Sequence, residues 1–283
     1  MDDQSHARRG LQRVDRARLV DDLRRLGLHA GAVVLAHASL SRIGNVEGGA
    51  PAVVQALHDV VSPGGTVLFP TLTGREYDGP DHQPHFDVRQ PCTTGRIPET
   101  ARQHPVARRS LHPTHSVAAI GPEACEWTTG HELGESPCDE CSPYYRLIRR
   151  GGLILLLGAY QAGNTTLHCL EELANVPYHL QPEVTASTVL DDHGVEHTVC
   201  NRLHLPGWER DFARIDGLLL EAGVMVAGRV GSTTARLMRA AAMADEVLSE
   251  IRSDPLYLLS DRARRAWIAR TGEGGQDFHG TNQ

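Results

Sequence analysis

The fold is decided by the stretch Leu153–Ala174, which reads LILLLGAYQAGNTTLHCLEELA. Its first part, Leu153–Leu157, is a run of apolar residues and is typical of a strand buried on both faces. Gly158 and Gly163 then interrupt the pattern, and Asn164–Thr166 offer side chains that cap a helix. A buried strand, a polar turn and a new helix predict an α/β protein, in which ligands collect at the carboxyl ends of the strands.

His168 and Glu171 lie near the start of that predicted helix. Residues three positions apart share one face of a helix, so Glu171 can orient the imidazole. A histidine held by a carboxylate is a usual general base. The same spacing also fits an ordinary polar helix start with a surface histidine. The stretch alone leaves both interpretations open.

A βαβ unit is predicted upstream of this stretch. Val33–His37 and Thr66–Pro70 are the predicted strands, and Ala50–Val61 between them is the predicted helix. Such a unit pairs its two strands in parallel. The loop His37–Gly44 is rich in small and hydroxyl residues and can present backbone N–H groups to an anion or a carbonyl oxygen. It lacks the glycine patterns of dinucleotide and nucleoside-triphosphate sites, and a flexible loop is the alternative.

Downstream, the pattern predicts an antiparallel hairpin and a long helix. The hairpin strands are Val184–Leu190 and Val195–Leu203, and the predicted amphipathic helix is Thr233–Ser253. Together with the upstream elements they predict an α/β fold with a central mixed, largely parallel sheet flanked by helices, plus inserted loops and a hairpin.

The chain is expected to form a single domain, because no linker run or internal repeat divides it. That domain is predicted to span residues 15–270. Residues 1–14 and 271–283 are polar and are predicted to be flexible tails.

Composition excludes several classes of function. The chain has 283 residues, a net charge of −7 and six cysteines, and all 28 of its basic residues are arginine. The charge argues against nucleic acid as a partner, and the missing lysine excludes Schiff-base and P-loop lysine chemistry. Sparse cysteines, no signal-peptide pattern and no apolar run long enough to span a membrane predict a cytoplasmic protein.

Long loops carry further polar clusters. Residues 71–96 read as a loop with carboxylates that suit a polycation or are simply solvated, namely Glu76, Asp78, Asp81 and Asp87. Arg108 and Arg109 beside Ser110 suit a phosphate, or form an ordinary surface pair. Cys138 and Cys141 make a CxxC motif that fits structural zinc, a redox pair or inert thiols.

Several segments together resemble one family, the aminoglycoside 3-N-acetyltransferases and their relatives, which use acetyl-CoA and differ in fold from the larger GNAT superfamily. They occur in the family order and cover roughly residues 19–259. The segments are HASLSRIGNVEGGAPAVVQAL, SPGGTVLFPTLT, GRIPE, RRSLHPTHSVAAIGPEA, SPYYRLIRRGGLILLLGA, NTTLHCLEELANVPY, GRVGSTTARLM and DPLYLL.

The resemblance implies roles for individual residues. His168 matches the catalytic histidine and Glu171 the acidic residue that orients it. The residues implied in binding acetyl-CoA are His37, Ser39, Leu40, Ser41, Gly44, Arg109, Ser110 and Ser116. Those implied in binding the acceptor are Glu76, Tyr77, Asp78, Glu99 and Glu172.

The resemblance also implies the reaction. Acetyl-CoA would be the co-substrate, no metal would be required, and the acceptor would be an amino group of an aminoglycoside, the 3-amino group of 2-deoxystreptamine, giving antibiotic resistance. His168 would remove the amine's proton, and backbone N–H groups near Ser39–Ser41 would stabilise the oxyanion. Cys169 points about 100° away on the helix and is not expected to be a nucleophile.

Three alternatives remain open from the sequence. One is a biosynthetic N-acyltransferase for another small amine, and another is a binding protein that sequesters an amine. The third is a zinc-dependent hydrolase using His112, His115, Cys138 and Cys141. Weak metal-ligand candidates are Cys138, Cys141 and Cys200. A small-molecule amine and acetyl-CoA are the expected partners, with neither nucleic acid nor membrane, and the protein is expected to be a monomer or homodimer.

Overall fold

The computed structural model describes residues 13–74 and 84–272. Its strands are β1 (Arg13–Val14), β2 (Val33–Ala38), β3 (Asn45–Val46), β4 (Thr66–Pro70), β5 (His85–Asp87), β6 (Arg108–Arg109), β7 (Val117–Ile120), β8 (Leu153–Leu157), β9 (Thr185–Leu190), β10 (Glu196–Asn201), β11 (Met225–Val230) and β12 (Thr233–Arg239). Its α-helices are α1 (Arg16–Leu26), α2 (Leu40–Ile43), α3 (Gly49–Val61), α4 (Arg96–Arg102), α5 (Ala124–Thr128), α6 (Pro143–Arg149), α7 (Thr166–Leu173), α8 (Ile215–Glu221), α9 (Ala240–Ser253) and α10 (Asp261–Thr271).

A seven-stranded mixed sheet confirms the predicted α/β fold. Its strand order is β11-β12-β8-β2-β4-β7-β6. Only the central strands β8, β2 and β4 pair in parallel, whereas the strands on both sides run antiparallel. The sheet is therefore less parallel than predicted, because antiparallel neighbours need only a short turn. Gly231 and Ser232 make such a turn between β11 and β12.

The sheet is buried on both faces, as the apolar run in β8 predicts. Leu155 and Leu157 belong to the hydrophobic cluster on the side of α1 and α3. Ile154 and Leu156 belong to the cluster on the opposite side, with residues of α6, α7 and α9. All four side chains are fully buried, and each contributes about 1.5–3 kcal/mol through removal from water.

The hairpin predicted after the central helix is confirmed. β9 and β10 pair in antiparallel register, from Glu196 opposite Leu190 to Asn201 opposite Thr185. The hairpin is extended by β5, which pairs in parallel with β9. This strand lies within residues 71–96, which the sequence predicted to be a loop. Its pairing partner lies far away along the chain, so local patterns do not reveal it.

The long helix predicted for Thr233–Ser253 is wrong in its first third. Thr233–Arg239 is the strand β12, and the helix α9 begins only at Ala240. β12 is hydrogen-bonded on both sides, to β8 and to β11. Tertiary pairing has overridden the weak strand preference of its Ala, Leu, Met and Arg residues.

The predicted boundary of the N-terminal tail at residue 14 is also wrong. Val14 is fully buried, and Arg13 and Val14 pair in parallel with Asn45 and Val46. The folded part therefore includes these two residues, because Val14 belongs to the same core cluster as Ile43 and Leu19. Within the described residues, no helix is long and apolar enough to cross a bilayer.

Candidate active site

The carboxyl ends of the three parallel strands bring the candidate site together. β2 ends at Ala38 and leads into the short helix α2, and β8 ends at Leu157. The next residue, Gly158, has φ +68°, and an added Cβ would lie 3.0 Å from Arg42 Cβ and 3.2 Å from the Ser39 carbonyl oxygen. Glycine is therefore required for the close approach of the chain after β8 to α2.

A cavity of about 660 Å³ opens beside α2, and we call it the donor cavity. Of the predicted acetyl-CoA contacts, the structure brings Ser39, Leu40, Ser41 and Gly44 to its wall. Its full lining is Ala38, Ser39, Leu40, Ser41, Gly44, Asn45, Val46, Gly49, Thr94, Gly95 and Arg96.

His37 does not line this cavity with its neighbour Ala38. Successive residues of a strand face opposite sides of the sheet, so the His37 side chain lies on the other face. Its ring is buried, its Nε2 has no hydrogen-bond partner among the described residues, and burial lowers its pKa to about 3. Contact between His37 and acetyl-CoA is therefore not supported by the geometry.

The predicted pair of His168 and Glu171 lies on α7. Asn164 Oδ1 accepts a hydrogen bond from Thr166 N at the start of this helix. His168 Nδ1 then lies 2.7 Å from Glu171 Oε2. Glu171 is fully buried, whereas the His168 side chain keeps 25% of its surface exposed. With Nδ1–H donated to the carboxylate, Nε2 carries the lone pair of a base.

Glu171 is shared by three cationic or hydrogen-bonding partners. Besides His168, it lies 3.1 Å from His179 Nδ1 through Oε2 and accepts from Arg210 Nε through Oε1, also at 3.1 Å. Burial alone would raise the pKa of Glu171, but His179, the hydrogen bond from His168 and Arg210 lower it to about 2. The carboxylate is therefore ionised at neutral pH, and it fixes the imidazole of His168.

A second cavity of about 200 Å³ lies over His168, and we call it the acceptor cavity. Thr94 lines both this cavity and the donor cavity, so the two meet at that residue. The space beside α2 and the space over the histidine are therefore adjacent. The lining is Leu72, Gly74, Thr93, Thr94, Thr114, His115, His168, His204, Leu205 and Arg210.

Glu172, a predicted acceptor contact, lies behind the wall of the acceptor cavity. Its side chain is 5% exposed and lies 2.9 Å from His204 Nε2. Ser136 Oγ and Cys138 N also donate to it. Burial raises the pKa of Glu172 to about 8. Its contact with an acceptor would be indirect, through His204.

Arg109, Ser110 and Ser116 do not occur among the described residues that line the donor cavity. Arg109 instead donates to Thr71 and Ser116 and to the backbone carbonyls of Val88 and Gln90. Ser110 is fully buried, with its Oγ 2.9 Å from His131 Nδ1. These side chains connect parts of the protein, so a role in binding CoA phosphates is not supported.

The remaining predicted acceptor contacts are not assembled at the site. Glu99 is bonded to Arg102, Gln103 and Cys92 N, and the Arg102 hydrogen bond is the main cause that lowers its pKa to about 2. It lines neither cavity. Glu76, Tyr77 and Asp78 lie outside the described residues.

The predicted metal-ligand cysteines do not come together at one place. Cys138 is buried near His115 and His204, with one ligand atom of each within 4.8 Å of the others. Cys141 and Cys200 do not belong to that group. His112 is bonded to Thr114 N and Asn201, so the predicted zinc-hydrolase set is not assembled.

His179, His204, Arg210 and Thr94 are site residues that sequence reasoning missed. Each reaches His168 or its cavity from a segment outside α7. His179 follows the helix, whereas His204 and Arg210 follow the hairpin. The sequence offered one signal for these residues. It contains 16 histidines in 283 residues, in an otherwise ordinary composition.

Comparisons with known proteins agree with this geometry. A family model described as aminoglycoside 3-N-acetyltransferase matches residues 35–251. Aminoglycoside N(3)-acetyltransferase IV of Salmonella sp is 32% identical over 250 residues, which cover 86% of this chain and 90% of that protein. Aminoglycoside N(3)-acetyltransferase III of Salmonella sp is 39% identical over 180 residues, which cover 57% of this chain. The chain spans 62% of the length of that relative.

Solved structures give the same result. A mutant of the aminoglycoside acetyltransferase AAC(3)-IVa in complex with a gentamicin has a TM-score of 0.76 and 31% identity, covering 89% of this chain and 93% of that one. AAC-IIIb in its binary complex with CoASH has a TM-score of 0.72 and 29% identity, covering 85% of this chain and 97% of that one. The chain therefore belongs to the aminoglycoside 3-N-acetyltransferase family.

Proposed function

We propose that the protein transfers an acetyl group from acetyl-CoA to an amino group of an aminoglycoside, the 3-amino group of its 2-deoxystreptamine ring. One observation carries the proposal. The carboxylate-held His168 lines a cavity that meets a second, larger cavity at Thr94. A donor site and an acceptor site that meet beside a base are what direct transfer between two substrates requires.

His168 would act as the general base. The acceptor amine is protonated at neutral pH and becomes a nucleophile only after it loses a proton. Nε2 of His168 accepts that proton, the amine nitrogen attacks the thioester carbonyl carbon, and a tetrahedral oxyanion forms. When the C–S bond breaks, the thiolate leaves and takes the proton from the imidazolium. The nitrogen of the new amide loses its second proton to solvent, so the products are the N-acetylated amine, free CoA thiol and one proton. Glu171 stabilises the imidazolium while it exists.

The start of α2 would stabilise the oxyanion. The first N–H groups of a helix have no intrahelical partner, so those of Leu40 and Ser41 are available beside the donor cavity. Cys169 is fully buried and burial raises the pKa of its thiol well above the ordinary value, which supports direct transfer without a covalent acetyl-cysteine.

Release of free thiol from acetyl-CoA in the presence of gentamicin or sisomicin tests the proposal. The wild type should release thiol, and His168→Ala should lower kcat by about 10²–10⁴-fold, because that is the usual contribution of a general base. His193→Ala is the matched control, since His193 is exposed and lines neither cavity of the site. Equal rates of thiol release by the wild type and His168→Ala would show that His168 is not the general base.

No release with any aminoglycoside, despite measurable CoA binding, would instead favour an acyltransferase for another small amine. The regiochemistry is read from the NMR spectrum of the product. A cytoplasmic location, and a monomer or homodimer, remain predictions, and gel filtration tests the second.

A further inference from the structure

Arg96 is the one charged side chain among the described residues that line the donor cavity. The rest of that wall is small, apolar or hydroxyl-bearing apart from the amide of Asn45, and it contains no carboxylate. Glu47 follows the wall residue Val46 in sequence but pairs with Arg13 at 3.0 Å. The whole chain carries a net charge of −7. A cavity wall with a single positive charge in an acidic protein favours an anionic ligand group.

The guanidinium of Arg96 is also available to a ligand. Arg96 is exposed, and within residues 13–74 and 84–272 its side chain forms no ion pair or hydrogen bond, whereas its backbone carbonyl accepts from Thr100 Oγ1. The carboxylate of Glu99, one turn further along α4, is bonded to Arg102 and Gln103 instead. A ligand anion would therefore not have to displace a carboxylate of the described residues from Arg96.

Arg96 lies near the place where the two cavities meet. Thr94 lines both cavities, whereas Arg96 lines the donor cavity but not the acceptor cavity. The two residues of chain between them span at most about 7 Å. Arg96 is also the first residue of α4. Because the side chains of a helix lean toward its N-terminus, the long side chain of Arg96 extends on the side of Gly95, which lines the same cavity.

The proposed reaction determines which part of acetyl-CoA lies in which place. The acetyl group has to lie at Thr94 to meet an amine over His168. The pantetheine arm and then the diphosphate must therefore extend into the donor cavity. The diphosphate is the first anionic group that follows the thioester along the molecule. A guanidinium is well suited to it, since its planar N–H donors bind phosphate oxygens in pairs.

We propose that Arg96 binds the diphosphate of acetyl-CoA and thereby selects the complete co-substrate over acetyl donors that lack phosphate. The identity of this ligand rests on the proposed function. The contact is far from the bonds that change, so it is made equally before and in the transition state. Its loss should therefore raise the KM for acetyl-CoA and leave kcat unchanged.

Binding of CoA, dephospho-CoA and pantetheine, measured by calorimetry without an acceptor, tests this contact. Arg96→Gln should bind CoA and dephospho-CoA about tenfold more weakly than the wild type, as expected for the loss of one hydrogen bond to a charged group. Its affinity for pantetheine should not change. Arg96→Lys should keep most of the CoA affinity, because an ammonium group also attracts phosphate.

Arg262→Gln is the matched control and should bind all three ligands like the wild type. It removes the same charge from a side chain that is 83% exposed and lines neither cavity. Acetyl-transfer kinetics give a second measurement. In Arg96→Gln, kcat/KM should fall about tenfold for acetyl-CoA, in line with the lost affinity, and should stay constant for S-acetylpantetheine.

A wild-type affinity for CoA in Arg96→Gln, or an equal loss for CoA and pantetheine, would overturn the proposal. An effect that disappears with dephospho-CoA would also overturn it, because the contact would then be to the ribose phosphate. Protein whose selection of CoA depends on Arg96 but which acetylates no aminoglycoside would contradict the proposed function and not this contact. Acetyl transfer without any effect of Arg96→Gln would do the reverse.

Discussion

At the residue scale, Glu171 is the centre of the charge balance of the site. It is fully buried and contacts His168, His179 and Arg210 at once. A lone buried carboxylate would be neutral, but these partners keep it ionised. The histidine that faces the acceptor cavity therefore owes its orientation to a residue that lies behind the cavity wall.

Arg109 connects segments that are distant in sequence. Its guanidinium donates to the Thr71 side chain and carbonyl, to Ser116, and to the carbonyls of Val88 and Gln90. Arg109→Met leaves these acceptors unpaired, so we expect the free energy of unfolding to fall by about 3 kcal/mol. Urea unfolding measures the loss, and the KM for acetyl-CoA should stay near its wild-type value.

The neighbouring Arg108 provides the control. Its side chain is 62% exposed and its carboxylate partner Asp192 lies 3.5 Å away, so Arg108→Met should change stability by no more than about 0.5 kcal/mol. A higher KM for acetyl-CoA in Arg109→Met, with stability unchanged, would mean that Arg109 does contact acetyl-CoA.

Sequence reasoning identified the residues of the site that are close together in the chain. His168 and Glu171 share a helix face, and Ser39, Leu40 and Ser41 are consecutive, so helical periodicity and loop composition suggest each group. The family resemblance then favoured their functional interpretation over the ordinary one. His179, His204 and Arg210 come from segments that meet only after the hairpin packs against α7. No local pattern encodes that meeting. The backbone acceptors of Arg109 are equally invisible in the sequence, where Arg109 suits a phosphate or an ordinary surface pair and the resemblance implies contact with acetyl-CoA.

At the element scale, the contact between the end of β8 and α2 shapes the donor cavity. Gly158→Ala would force the chain and α2 apart, because the new methyl group lies 3.0 Å from Arg42 Cβ. We expect the KM for acetyl-CoA to rise by about tenfold, which corresponds to about 1.4 kcal/mol of lost binding. Steady-state kinetics with varied acetyl-CoA measure this change.

Gly151→Ala is the control that distinguishes the effect of the contact between residue 158 and α2 from the effect of backbone strain. Gly151 has φ +70°, close to the +68° of Gly158, but nothing lies within 4 Å of an added Cβ. Both variants should lose about 1–2 kcal/mol of stability from the left-handed conformation, and only Gly158→Ala should bind acetyl-CoA less well. Equal KM values in the two variants would mean that α2 does not depend on this contact.

The sequence predicted well those helices and strands in which the spacing of the apolar residues agrees with the face that is buried. The apolar run of β8 and the helical pattern of α3 each reflect contact with the core that lies directly beside them. β12 misled the prediction because Leu237, Met238 and Ala241 also fit helical spacing. The signal missed in the sequence was the dipeptide Gly231-Ser232, which is typical of a two-residue hairpin turn. In the structure Gly231 takes the first central position of that turn, with φ +59°.

At the scale of the whole molecule, buried histidines should make the fold sensitive to acid. Burial lowers the pKa of His37, His131 and His179 to about 3, and lowers those of His112 and His204 well below the ordinary value of 6.5. The unfolded chain binds protons at these residues as the pH falls below 6.5, whereas the folded chain does not. Their contribution to stability is therefore present above about pH 6.5 and is lost below it.

The expected loss of stability is steep. Each such histidine lowers the free energy of unfolding by about 1.4 kcal/mol for each pH unit below its unfolded pKa. Glu172 has the opposite effect, equal to one proton, because its pKa is raised to about 8 and the folded protein binds that proton more tightly. Unfolding therefore takes up about four protons in all, and a domain of ordinary stability should unfold before the pH falls to about 4.5. Urea unfolding between about pH 8 and pH 5 measures the slope, and a free energy of unfolding that stays constant across the lower half of that range would contradict the prediction.

The two cavities that meet at Thr94 are built from different kinds of structure. The end of a strand and the start of a helix form much of the donor wall, whereas residues of loops such as Leu72, Thr93 and Leu205 form much of the acceptor wall. Loops tolerate substitution better than the elements they connect. If the proposed acetyl transfer is its activity, a lineage with this architecture under selection by successive antibiotics would be able to alter the range of drugs that it inactivates while keeping its acetyl-CoA site unchanged.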